Sequence, residues 1–156
     1  MDYTDKDRPD LKKGLESLSY LRGMDIDSLC RFFTLRRLTE GEILFREGDK
    51  AAFMAFIISG KLEIKKQTEF PGKYFVLSIL GRDSFFGERA ISDDETELRS
   101  ATATALEETS IVLLQRGSFD NIYNNNPDVA AKLLRALLHE VSLRLNGANE
   151  RMASVF

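Results

Sequence analysis

The sequence has a single cysteine, Cys30, so no disulfide can close within the chain. It has a single histidine, His139, which cannot supply the two histidines and a carboxylate that small β-barrel metalloenzymes need. An excess of basic charge is missing too: 22 Lys and Arg stand against 25 Asp and Glu, a formal net charge of -3. A nucleic-acid surface normally shows clustered Lys and Arg, and this balance argues against one. No apolar run approaches the ~20 residues of a membrane-spanning helix, and the opening residues MDYTDKDRPD are too polar for a signal peptide. These absences predict a cytoplasmic protein that is not an enzyme, holds no metal or other cofactor, and meets neither DNA nor a membrane. His139, between Leu138 and Glu140, is expected on a helix surface, and Cys30, beside Phe32 and Phe33, in the core.

What is present suits one domain: 156 residues, 43% of them hydrophobic, can bury a core without disulfides or metals. Residues 1–10 look frayed. Leu11, Leu15, Leu18 and Leu21 then fall at helical spacing. A second short helix is predicted over 26–33, with Asp25 as its cap and Met24 as a staple against Leu29. The pattern next changes to strands at 34–38, 43–45 and 53–59, followed by an alternating stretch with Leu62 and Ile64 on one face and Lys61, Glu63 and Lys65 on the other. A hairpin loop at 69–73, a strand at 74–80, a turn at 81–83 and strands at 101–106 and 110–114 complete the set. Phe53, Phe56, Phe75, Phe85 and Phe86 are expected chiefly in the core. Many short strands without crossover helices indicate an antiparallel roll or barrel.

Helix returns near Phe119, Ile122 and Tyr123, and a long terminal helix is predicted from Asn126-Pro127 to about Met152. One apolar stripe runs through Leu134, Leu138, Val141, Leu145, Ala148, Met152 and Val155, and Ala130, Leu133 and Leu137 lie beside it. A stripe this wide leaves surface for a second copy, so a homodimer through this helix is expected. The alternative is that both stripes cover the chain's own barrel and its two N-terminal helices. The organisation read from the sequence is a helical segment at 1–33, a β-roll at 34–115 and C-terminal helices at 116–156.

One loop carries chemistry. Phe86-Gly87-Glu88-Arg89-Ala90 combines a glycine turn with the start of a short helical turn, whose free amides suit a phosphate oxygen. Eleven residues after Glu88 the loop returns at Arg99-Ser100-Ala101-Thr102. Arg99 offers a planar fork for phosphate oxygens and Ser100 a hydroxyl donor. Glu88 repels phosphate and is the acceptor for a sugar hydroxyl or a partner for Arg99. Phe85 or Phe86 is placed to line the pocket beneath the sugar. An arginine and a glutamate so spaced also fit a plain ion pair, and Phe-Gly-Glu alone is a weak motif. The acidic tip, Asp93-Asp94-Glu95-Thr96-Glu97, counts against an anionic ligand unless it projects into solvent.

Four segments in order, 41–49, 56–64, 86–90 and 99–102, resemble the cyclic nucleotide-binding domain family, which includes bacterial catabolite activators and the regulatory domains of cyclic-nucleotide-dependent kinases and channels. The resemblance covers roughly residues 15–152. It implies a mainly β fold, an eight-stranded jelly roll or double-stranded β-helix flanked by helices, with 86–102 as the phosphate-binding cassette. It further implies that Arg99 pairs with the cyclic phosphate of cAMP or cGMP and that Glu88 accepts the ribose 2′-hydroxyl. Phe86, Gly87, Arg89, Ala90, Ser100 and Ala101 belong to the same cassette. The last helix is expected to cap the purine, with Leu145, Ala148 and Asn149 as candidates, and to signal to a separate effector. The chain ends at Phe156 with no room for a helix-turn-helix domain, so binding to DNA is not expected. The expected function is a stand-alone sensor of a cyclic mononucleotide, with cAMP ahead of cGMP; a nucleotide-free dimeric scaffold of the same fold is the alternative.

Overall fold

In the computed structural model, which describes residues 5–155, the first helix α1 (Arg8–Glu16) follows a 3₁₀ turn at Asp5–Asp7. The helix thus begins earlier than the apolar spacing suggests. Pro9 sits at its first turn, where a missing N–H costs nothing, and Asp10 pairs with Arg37 at 2.9 Å. Residues 1–4 of the expected frayed segment lie outside the described residues. The helix also stops at Glu16 rather than near Leu21: Leu18 turns extended, and Ser19–Leu21 forms a separate 3₁₀ turn. Leu11, Leu15, Leu18 and Leu21 are nonetheless all buried. Asp25 caps α2 (Ile26–Leu29) by accepting from the Ser28 amide. A 3₁₀ turn, Cys30–Phe32, then leads into the barrel, so the second helix is shorter than predicted.

Eight strands follow: β1 (Phe33–Leu38), β2 (Ile43–Phe45), β3 (Phe53–Ser59), β4 (Leu62–Gln67), β5 (Tyr74–Leu80), β6 (Phe85–Phe86), β7 (Thr102–Ala105) and β8 (Thr109–Gln115). They form two four-stranded antiparallel sheets, β1-β8-β3-β6 and β2-β7-β4-β5, the predicted jelly roll. Strand β6 has only two residues and escapes any periodicity reading. Gly60, between β3 and β4, adopts φ +93, and a Cβ there would lie 2.6 Å from the Glu108 carbonyl oxygen and 2.3 Å from Thr109 Oγ1. Thr109 is fully buried and exchanges hydrogen bonds with the Lys61 amide and carbonyl, locking this corner.

The central strands alternate between two cores. Met54 and Phe56 of β3, Phe85 of β6 and Val112 and Leu114 of β8 face the helices. Ala55 and Ile57, Phe86, and Ile111 and Leu113 face the barrel interior. Phe75 departs from its expected core position and is 63% exposed. It lies on β5, which among the described residues has β4 as its only neighbour and ends its sheet. The chain then forms α3 (Arg116–Asn125) and α4 (Pro127–Val155). Ala130, Leu133 and Leu137 of α4 pack into the helical core, and Leu138 and Leu145 on the second stripe are exposed. Cys30 is buried and His139 exposed, as expected. No described helix is long and apolar enough to cross a membrane.

The Gly60 corner yields a direct test. Gly60→Ala adds a methyl against backbone atoms and forces an L-residue into the left-handed region, so it should cost about 2–4 kcal/mol. Urea unfolding measures this, and a loss below about 0.5 kcal/mol, the range of a neutral surface change, would contradict the reading of that turn.

Candidate functional site

Gly87 follows β6 and takes the left-handed conformation, φ +73, which re-aims the chain into a 3₁₀ turn at Glu88–Ile91. The loop then runs outward and returns at Arg99, whose backbone is pinned to the turn after β2. Arg99 N donates to Asp49 O at 2.7 Å, Gly48 N to Arg99 O at 2.8 Å, and Ala51 N to Glu97 O at 2.9 Å. A lysine supports the same return: Lys66 Nζ reaches Glu47 and the Ser100 carbonyl.

The Arg99 side chain turns inward and is 5% exposed. Its guanidinium lies over the rings of Phe45, 4.0 Å from the centroid, and Phe53, at 4.6 Å. Nη2 donates to the Phe53 carbonyl and Nη1 to the Gly87 carbonyl at 3.5 Å. Burial pulls the guanidinium pKa down to about 10, against the opposing charges of Asp49 and Glu88, and the group is a cation at neutral pH. Its Nε is buried without a hydrogen-bond partner. A Cβ at Gly87 would stand 2.5 Å from Arg99 Nη1, so this close approach requires glycine twice over: for its φ and for its missing side chain.

A cleft of about 110 Å³ opens over this arrangement. Gly87, Glu88, Arg89, Arg99 and Ser100 form its polar lining; Phe45, Ile64, Phe86 and Leu98 form an apolar wall, with Ala51 and Ala101 also lining the cleft. Glu88 is half-buried and lines this cleft, and its charge reaches Arg99 from there. Of the two neighbouring phenylalanines, Phe86 lines the cleft and Phe85 points to the helices. The Ala90 amide closes the turn onto Gly87 O at 3.0 Å, which leaves the preceding amides of Glu88 and Arg89 as the open start of the turn. The Arg89 side chain is exposed and pairs with Glu97. Asp94 accepts from the Thr96 amide and hydroxyl, and Arg116 donates to the carbonyls of Ser92 and Asp94. Two of the acidic tip's carboxylates thus have partners within the loop.

The structure brings the cassette residues together from 86 to 101 and leaves the purine candidates apart. Leu145 and Asn149 are exposed on α4, Ala148 is half-buried, and none of the three lines the cleft. Apart from Phe86, the apolar wall went unread in the sequence: Phe45 and Ile64 look like ordinary strand residues, and Leu98 like a loop residue. Only the hydrophobic character of Leu98, directly before the returning arginine, carried a signal. No group of three His, Cys, Asp or Glu side chains among the described residues is arranged to hold a metal ion. Chemically, the site offers a buried cation with an unused donor, open amides, a carboxylate and an apolar wall. That combination matches an anion joined to a hydroxylated ring and a flat apolar group.

Residues 35–126 match the family model of the cyclic nucleotide-binding domain. The chain is 30% identical over 137 residues to the cyclic AMP receptor protein of Thermus thermophilus, covering 86% of this chain and 62% of that protein. It is 32% identical over 128 residues to the cAMP-dependent protein kinase regulatory subunit of Dictyostelium discoideum, covering 78% of this chain and 38% of that one. It therefore spans less than two thirds of the length of either relative. A solved cyclic nucleotide-binding domain from Methylobacillus flagellatus superposes with a TM-score of 0.77 at 22% identity, over 97% of this chain and 85% of that one, which shows the shared fold. With the model spanning well over half its length and the jelly roll and cassette in place, the chain belongs to the cyclic nucleotide-binding domain family.

Proposed function

We infer that the chain is a sensory module that binds a cyclic mononucleotide in the cleft between Glu88 and Arg99, with no chemical step following. The observation that carries this reading is the unpartnered Nε of a 95%-buried arginine beside an open cleft, since a buried donor without an acceptor costs about 1–3 kcal/mol. In this reading the cyclic phosphate takes that donor and the open amides of Glu88 and Arg89, with the Ser100 hydroxyl beside it. Glu88 accepts the ribose 2′-hydroxyl, and the sugar and base rest against Phe86, Ile64 and Leu98. That Glu88 and Arg99 line the cleft, rather than sealing it by direct pairing, favours a ligand over a bare scaffold. The names of the Thermus and Dictyostelium relatives favour cAMP over cGMP.

Nucleotide capping by Leu145, Ala148 and Asn149 requires the distal half of α4 to close over the cleft. Such closure is a population shift, and it needs the nucleotide to bind the closed arrangement more tightly than the open one. The exposed stripe through Leu134, Leu138, Leu145 and Met152 is the surface through which two copies would pair and pass that change to an effector.

Calorimetric titration with cAMP and cGMP tests the binding reading. Wild type should bind at least one at micromolar affinity or tighter. Arg99→Ala should weaken binding by about 2–5 kcal/mol, the cost of losing a buried charge-assisted contact. Circular dichroism checks that the variant is folded, and Arg99→Lys, which keeps the charge without the fork, should fall between the two. No wild-type binding at millimolar nucleotide, or equal affinities in folded variants, would overturn the assignment.

Sedimentation velocity addresses the helix pairing. Wild type should be a dimer, and the double variant Leu138→Asp, Leu145→Asp a folded monomer. A monomeric wild type at high micromolar concentration would remove the dimer from the account.

A further inference from the structure

Strand β6 is the shortest in the fold and sits at a sheet edge, yet it delivers the chain into Gly87. Its inner side pairs with β3, where Ile57 N donates to Ser84 O at 2.9 Å and Phe85 and Phe86 stand opposite Phe56 and Ala55. Alternation along an antiparallel strand then turns the Phe85 carbonyl to the open edge. No further strand covers it among the described residues. Arg144 of α4 does: Nη2 donates to Phe85 O at 2.6 Å, and the guanidinium lies over the Phe85 ring, 4.3 Å from its centroid. Glu140, one turn earlier, stands 3.6 Å from Arg144 Nε.

The same short segment is held from a second side. Tyr20 packs edge-on against the Phe85 ring at 5.2 Å and donates its hydroxyl to the Asp83 carbonyl at 2.9 Å. The Ser19 amide donates to the Asp83 carboxylate at 2.9 Å, and Asp83 itself has φ 63. The N-terminal side of β6 is therefore held by residues 19 and 20, and the Phe85 carbonyl on its outer edge by Arg144. Consecutive side chains of β6 also enter different cores, Phe85 toward the helices and Phe86 into the barrel beside the cleft. A displacement of the Phe85 carbonyl is thus carried to Phe86 and to the Gly87 turn, whose carbonyl receives Arg99.

We propose that Arg144 is a positioning residue for ligand binding: by holding the edge carbonyl and ring of Phe85 it sets the Gly87–Ala90 turn and ties that turn to α4. This rests on the cyclic-nucleotide reading of the cleft. Arg144 does not line the cleft and reaches the turn through Phe85. The contact makes the distal half of α4 and the cassette one mechanical unit, so a change at either is felt at the other.

The test compares wild type with Arg144→Ala, Arg144→Lys and a control, Leu137→Ala, which loosens α4 in its buried stripe and leaves the Arg144 side chain in place. Calorimetry with cAMP, at a temperature where every variant is folded, should show Arg144→Ala weakened about tenfold. Arg144→Lys should recover to within about threefold of wild type and Leu137→Ala should stay within about twofold. Hydrogen exchange should show nucleotide protecting residues 138–155 in wild type and not in Arg144→Ala. Affinity of Arg144→Ala within twofold of wild type, or an equal loss in Leu137→Ala, would overturn the positioning role. If wild type binds no nucleotide, the cleft reading fails by itself. The role of Arg144 is then decided by exchange of the 87–90 amides in free protein: at least tenfold faster in Arg144→Ala supports it, and unchanged rates overturn it.

Discussion

The site is organised by one buried charge. Moving a guanidinium out of water costs several kcal/mol unless dipoles and rings replace its hydration, and here both do. Phe45 and Phe53 face the cation, the carbonyls of Phe53 and Gly87 accept from it, and Asp49 and Glu88 set negative charge nearby. Each of these dictates a piece of structure. Phe45 and Phe53 must end and begin their strands at the mouth of the barrel. Gly87 must lack a Cβ, and the turn before Ala51 must accept the returning chain. One donor, Nε, stays unused, and in the proposed reading it is the group that an anionic ligand takes.

The second constraint is the alternation of a strand between two faces. The barrel interior and the helix layer share the sheet β1-β8-β3-β6, so neighbouring residues on its strands report to different cores. At β6 this places the cleft wall, Phe86, one residue from the helix contact, Phe85. The fold thereby couples an internal binding site to an external helix through a single peptide unit. Exposed apolar residues of α4 lie beyond that contact, at Leu145 and Met152, where a response of the helix would be presented to another chain.

Strand positions were legible because half-buried strands alternate with period two, as in Leu62 and Ile64 against Lys61, Glu63 and Lys65. The glycine turn and the returning arginine were legible because few other residue types suit those positions. Strand β6 was not, since two residues have no period. Phe75 misled because a run of large apolar residues reads as core, whereas strand order alone decides that β5 is an edge. The first helix misled at both ends: its start is polar, held by ion pairs to Arg37, and its leucine spacing persists through a break at Leu18. The link from Arg144 to Phe85 spans 59 residues and leaves no local trace in the sequence.

The central claim is that the buried Nε–H of Arg99 is the donor a cyclic phosphate takes. Proton–nitrogen NMR of arginine side chains, recorded with and without saturating cAMP or cGMP, observes that group directly. The account predicts that the Arg99 Nε–H resonance moves strongly downfield and exchanges more slowly with water when nucleotide binds. Binding that leaves this resonance in place would contradict it, since the phosphate would then be held elsewhere.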